Sequence, residues 1–109
     1  MPKLHRAVAL AAALLVPGSG MAGDIKAGRQ KAVQCQACHG ADGIAKLPEA
    51  ANLAGQTEVY LLKALGEFKS GARKNEMMSL VIQGLSPKDM EDLAAYFAAF
   101  EVQVTPPPK

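Results

Sequence analysis

The chain of 109 residues has no tryptophan, and its other aromatic side chains are three Phe and two Tyr. So few large side chains can bury only a thin core, and domains of this size commonly depend on a disulfide, a metal or another staple. Cysteine is almost absent as well: only Cys35 and Cys38 are available, and they are too close in sequence for a bridge between them to constrain the unfolded chain appreciably. No apolar run exceeds the ten residues Ala7 to Val16, whereas a helix needs roughly 20 to cross a bilayer, so no membrane span is expected. There is no large excess of one charge and no basic stripe of the kind that marks a nucleic-acid binder. No β-branched, alternating strand pattern stands out. No internal repeat and no second domain are visible.

The beginning of the chain has the three-part layout of a secretory leader. Lys3, His5 and Arg6 form a positive start, Ala7–Val16 is the apolar stretch, and Pro17-Gly18-Ser19-Gly20 leads to a small-residue cleavage point after Ala22. Residues 1–22 are therefore expected to be removed, which predicts export to the periplasm. No cysteine follows the apolar stretch to accept a lipid anchor. Of the twelve basic residues, Lys3 and Arg6 leave with the leader while all ten acidic residues stay, so the mature chain is formally neutral.

The strongest local signal is Cys35-Gln36-Ala37-Cys38-His39. A four-ligand zinc site would need a second Cys/His pair, and the only other histidine, His5, lies in the leader. A redox-active Cys-x-x-Cys would be expected among strands and helices of thioredoxin type. Cys-x-x-Cys-His is instead the attachment pattern for c-type haem. Residues three apart project from one side of a helical turn, so two thiols can each bond one vinyl group of the same porphyrin. The adjacent imidazole then reaches the iron. Attachment takes place outside the cytoplasm, which agrees with the leader.

The rest reads as helices. Asp24 is placed to cap a first helix running to about Cys35, with Ile25, Ala32 and Val33 as buried positions and Gly28 inside it. Gly40 to Gly55 reads as a loop, punctuated by Gly43, Pro48 and Asn52. Thr57 opens a second helix with an apolar face of Leu61, Leu62, Leu65 and Phe68, and Gly71 stops it. Residues 72–85 lack clear periodicity. Ser86 with Pro87 and Asp89 opens the last helix, which carries Met90, Leu93, Ala94 and Phe97 on one face and ends near Phe100 or Glu101. Residues 102–109, with Pro106-Pro107-Pro108, form an extended tail.

A second axial ligand must come from a side chain other than histidine, and methionine is the leading candidate. Thioether sulfur is a neutral, soft donor that favours ferrous iron. Met90 belongs to the apolar face of the last helix, so it reads as core. Met77 and Met78 lie together in a polar segment after Arg73-Lys74-Asn75-Glu76, and sequence chemistry does not choose between them.

At this point the chain resembles a small bacterial class I cytochrome c, in particular a single domain of the dihaem cytochromes c and the haem subunit of flavocytochrome c sulfide dehydrogenase. The resemblance runs over the mature chain, through Cys35 to Gly43, Leu53-Ala54-Gly55-Gln56, Tyr60-Leu61-Leu62-Lys63, Phe68-Lys69-Ser70-Gly71, the Met77-Met78 pair, and Leu85-Ser86 into Asp92-Leu93-Ala94-Ala95-Tyr96-Phe97. It implies an all-α fold of about three to five short helices around one covalent haem c over residues 23–101, with the first and last helices crossing tightly at Gly28 opposite Tyr96 or Phe97. In such proteins the methionine ligand precedes the serine of the last helix by eight positions, which selects Met78. The resemblance also implies that a proline carbonyl, here Pro48, accepts a hydrogen bond from His39. The loop from Gly43 to Asn52 departs from the pattern, having Ala45, Lys46 and Glu49 to Ala51 where relatives are richer in proline and asparagine.

The resulting expectation is an electron carrier, not an enzyme, in which iron cycles between Fe(III) and Fe(II) with His39 and Met78 as axial ligands. Donor and acceptor would be redox proteins met in brief encounters, with Lys46, Lys63, Lys69, Arg73 and Lys74 as a candidate positive rim. The alternative is a stable electron-accepting haem subunit of a periplasmic dehydrogenase such as flavocytochrome c sulfide dehydrogenase. A third reading, a ligand-binding or peroxidatic haem protein, requires an open iron position.

Overall fold

The computed structural model describes Met1 and residues 23–109; the expected leader, apart from Met1, lies outside the described residues. Those residues are all-α, with no strand among them. Helix α1 spans Ile25–Lys31 and continues through a 3-10 stretch, Ala32–Cys35, into the single turn α2, Gln36–His39. A long loop leads to α3, Glu58–Ser70. Helix α4, Glu76–Val81, runs into a 3-10 turn, Ile82–Gly84, and α5, Pro87–Ala98, closes the fold.

The starts of α1, α3, α4 and α5 each have a side chain that satisfies amide groups left without an intrahelical partner. Asp24 Oδ1 accepts from Ala27 N at 2.9 Å, and Thr57 Oγ1 accepts from Tyr60 N at 3.3 Å. At α5 the bonds are reciprocal: Asp89 N donates to Ser86 Oγ at 3.1 Å and Ser86 N to Asp89 Oδ2 at 2.9 Å. Gly71 closes α3 as expected. Helix α5 stops at Ala98, two residues before the expected end, and residues 101–109 are exposed and without regular structure. The segment expected to be irregular, 72–85, contains α4. Its six residues are too few for a hydrophobic period to be read, and its start depends on Asn75.

The core is built on α5. Leu93, Ala94 and Phe97 pack with Met90, Leu85 and Ile82, and α3 contributes Leu61 and Phe68. Helix α1 crosses α5 so closely that a Cβ on Gly28 would lie 2.0 Å from the carbonyl oxygen of Asp92 and 2.7 Å from Tyr96 Cβ. Tyr96 is thus the residue opposite. The buried stripe of this first segment is Gly28 and Ala32, both small because the backbones nearly touch. Ile25 and Val33, expected to be buried, are 54% and 65% exposed, since the approach leaves no room for branched side chains on that stripe.

Charge locks the same crossing. Asp92 is the one buried charged side chain of the described residues. Its carboxylate accepts from Asp24 N at 2.7 Å and from the Lys88 ammonium, and Lys31 reaches Asp89 at 3.3 Å. The Lys88 hydrogen bond first, and the Asp24 amide second, hold the Asp92 carboxyl below its ordinary pKa.

Gly28→Ala is expected to cost roughly 3 kcal/mol, because the neighbour it meets is backbone and cannot swing away; thermal unfolding of the haem-loaded protein measures this. A carboxyl whose folded pKa is depressed adds stability that is present above its unfolded pKa of about 3.9 and is lost as pH falls through the lower folded value. Denaturant unfolding should therefore show stability rising from pH 2 to 5. Asp92→Asn should give a lower plateau and a shallower acid limb, and an unchanged acid limb would remove Asp92 from this account.

Candidate functional site

The end of the first helical segment carries the motif. Cys35 closes the 3-10 stretch and caps α2, and Cys38 and His39 sit in that turn, so all three belong to one short piece of helix. Gly40 ends it at φ +81° and ψ 151°, a conformation open to glycine alone, and a Cβ there would meet Ile44 O at 2.2 Å. Glycine immediately after the histidine is thus a condition for the chain to leave the turn.

The loop that follows is folded by its own backbone and side chains. Lys46 N donates to Cys38 O at 2.9 Å, while Gly43 O accepts from Leu53 N at 2.8 Å and Ala54 N at 3.0 Å. Asp42 Oδ1 accepts from Ile44 N and Asn52 Oδ1 from Ala45 N. This arrangement brings Ala51 O within 2.6 Å of His39 Nδ1. A carbonyl only accepts, so Nδ1 carries the proton and donates it, and the lone pair lies on Nε2. A bond of this kind fixes the ring and raises the basicity of the coordinating nitrogen.

The acceptor is therefore Ala51, not Pro48. Pro48 is exposed, at the second position of a turn that Ala50 N closes on Leu47 O at 3.1 Å. Its ring helps reverse the chain, and the carbonyl that reaches the imidazole comes after that reversal. Nothing in an alanine side chain advertises a backbone carbonyl, so the sequence carried no signal for Ala51.

The two cysteines are not bridged to each other, and both are partly buried. Burial, with a smaller contribution from Cys38, pushes the Cys35 thiol up to about 11. Among the described residues no three His, Cys, Asp or Glu side chains are grouped to hold a metal ion by themselves.

The two adjacent methionines part company. Met77 is 60% exposed, whereas Met78 is half-buried and packs against the core. Asn75 caps both amides at the start of α4: its Oδ1 accepts from Met77 N at 3.1 Å and Met78 N at 3.0 Å, while Asn75 N donates to Ser79 Oγ at 3.1 Å. Cys35, Leu53, Leu62, Leu65 and Met78 all touch the core yet remain partly open, an apolar margin that a flat hydrophobic group would cover. With two thiols and a lone-pair imidazole on one turn, this donor set fits a covalently attached haem. Two open surface hollows, one between the end of α3 and α4 and one beside α1 and α5, are lined by none of Cys35, Cys38, His39 or Met78.

The expected positive rim is largely engaged. Lys46 pairs with Asp42 at 3.7 Å and Lys63 with Glu67, while Arg73 stacks over Phe68 with its guanidinium 4.7 Å from the ring centroid. Among the described residues no helix is long and apolar enough to cross a membrane.

Comparison with known proteins places the chain in one family. The family model described as cytochrome c matches residues 25–99. Cytochrome c4 of Pseudomonas aeruginosa is 47% identical over 83 residues, covering 76% of this chain and 41% of that protein. Cytochrome c-554(548) of Halomonas halodenitrificans is 41% identical over 83 residues, 73% of this chain and 100% of its own. A thiosulfate dehydrogenase electron acceptor of Stutzerimonas stutzeri is 33% identical over 106 residues, 91% of this chain and 49% of the relative. The crystal structure of reduced recombinant cytochrome c4 from Pseudomonas stutzeri superposes with a TM-score of 0.71 at 42% identity, covering 76% of this chain and 48% of that one. The chain thus spans about two fifths of the length of the cytochrome c4 sequence it matches.

Asn75→Ala removes the only side-chain cap of α4 and is expected to cost about 1 kcal/mol. Thermal unfolding checks the magnitude, and hydrogen exchange at the Met77 and Met78 amides should quicken with it.

Proposed function

This chain belongs to the cytochrome c family and carries covalent haem c, and from that premise we propose that it is a periplasmic mono-haem electron carrier with His39 and Met78 as axial ligands. Cys35 and Cys38 hold the group by thioether bonds. The haem supplies an Fe(III)/Fe(II) couple that takes up and gives back one electron. His39 presents Nε2 because its Nδ1 proton is engaged by Ala51 O. Met78 presents a neutral, soft sulfur that favours the reduced iron and raises the potential. The partly covered apolar residues around them keep water from the site.

The observation that carries this reading is the pairing of a tautomer-fixed imidazole on the two-cysteine turn with a half-buried methionine whose neighbour points to solvent. Donor and acceptor are redox proteins engaged in brief encounters through small contacts. With most of the nearby cations engaged and the mature chain neutral, charge steering is modest and the encounter rate depends only weakly on salt. A second reading, a stable electron-accepting subunit of a dehydrogenase, is favoured by one observation, the thiosulfate dehydrogenase electron acceptor among the relatives. Against it, a relative matched end to end is no longer than this domain. Co-purification with a stoichiometric catalytic partner would select the second reading.

Visible spectra of protein matured with haem test the site. We expect haem that resists acid-acetone extraction, a low-spin ferric spectrum and the weak far-red methionine-to-iron band. Met78→Ala should abolish the band and Met77→Ala should keep it. A band that survives Met78→Ala, or a high-spin parent spectrum, would sink the ligand assignment, and the latter would bring forward the open-iron reading.

A further inference from the structure

Lys69 stands in the last turn of α3, half-buried, where an ordinary surface lysine would extend into water. Its ammonium has three donors, and three backbone carbonyls surround it: Gln83 O at 2.8 Å, Leu85 O at 3.0 Å and Ile82 O at 3.4 Å. Among the described residues it pairs with no carboxylate. These carbonyls lie at the end of the 3-10 turn that continues α4, where the dipole is negative; Ile82 O also accepts from Leu85 N at 3.1 Å.

Helix α4 has only six residues and its 3-10 extension three, too short to persist without outside support. Asn75 holds its beginning. At its other end Ile82, fully buried, donates its N–H to Met78 O, and Ile82 O is one of the carbonyls on Lys69. The methionine therefore lies on a short element pinned at both ends, one hydrogen bond away from the lysine's cage. We propose that Lys69 is the positioning residue for the Met78 ligand: its ammonium binds the carbonyl end of the methionine-bearing segment to α3 and thereby keeps the sulfur on the iron. This rests on Met78 being the ligand. Charge-assisted hydrogen bonds to three acceptors are strong enough for their loss to be measurable.

The test is competition by imidazole in the haem-loaded protein, read as the concentration that removes half of the far-red methionine band. Lys69→Met keeps the aliphatic stem and deletes the donors. It should lower that concentration by about ten-fold or more, because the net loss of even one charge-assisted bond corresponds to roughly this factor. Hydrogen exchange at the Ile82 and Leu85 amides should quicken in parallel. Asp92→Asn, which loosens the distant crossing of α1 and α5, should lower the melting temperature without moving the imidazole midpoint. A Lys69→Met midpoint equal to the parent's, or one shifted no more than that of Asp92→Asn at equal loss of melting temperature, would overturn the proposal. If Lys69→Met does not mature, Lys69→Gln is judged by the same criteria. Met78→Ala separates the two levels: a band that survives there defeats the ligand assignment, whereas a band lost there with an unmoved Lys69→Met midpoint defeats the role of Lys69 alone.

Discussion

Gly28 lets the first helix lie on the last at backbone distance, and the position of the site follows from that contact. A Cβ at this point would overlap the carbonyl oxygen of Asp92. Because the residue is glycine, α1 settles against α5, Ala32 enters the core, and the 3-10 stretch carries Cys35 onto its margin. The crossing is then latched by polar groups: Asp24 N on Asp92, Lys88 on the same carboxylate, and Lys31 on Asp89. A core of few large side chains gains by this device, since close helix packing extracts dispersion energy from small residues that a looser contact would forfeit.

Around that frame the two side chains proposed as iron ligands are held in different ways. His39 is oriented by a loop whose fold is almost wholly backbone, with Gly43 O, Cys38 O and the Asn52 side chain as its ties. Its acceptor is Ala51 O. Met78 is oriented by a short helix held from outside, at Asn75 and at Lys69. The first arrangement sets the tautomer of His39, and on the proposed ligation the second would set how firmly the Met78 sulfur stays in place. Exchange of a single electron would ask for little else, because a site that kept both ligands in both oxidation states would change shape little when the electron moves. The surface agrees with brief encounters: Lys46, Lys63 and Arg73 are engaged within the chain, and its formal net charge of +2 is too small to steer a partner strongly.

Much of the helical layout was legible because caps are local. Thr57, Gly71 and Ser86 with Asp89 each act within four residues, so their meaning survives without tertiary context. Burial was legible where a full amphipathic face exists, as for Met90, Leu93, Ala94 and Phe97. It was misread for Ile25 and Val33, where a glycine-led crossing reverses the usual rule that the largest apolar residues lie inside. Helix α4 escaped notice because six residues cannot display a period. The candidate basic rim also misled, since sequence counts cations but does not show that Asp42, Glu67, a phenyl ring and three carbonyls already occupy four of them.

The sequence by itself determined the chemistry: two thiols and an imidazole spaced for one covalently held porphyrin, methionine as the available sixth donor, and helices whose ends are written in their caps. Those are properties of residue type and short spacing, which need no fold to be read. Only the tertiary structure decided that Met78 packs inward while Met77 faces water, that Ala51 and not Pro48 takes the imidazole proton, and that Lys69 ties down the methionine's segment. The last two depend on backbone carbonyls brought together across 12 to 16 residues, and a carbonyl is the one functional group that every residue shares.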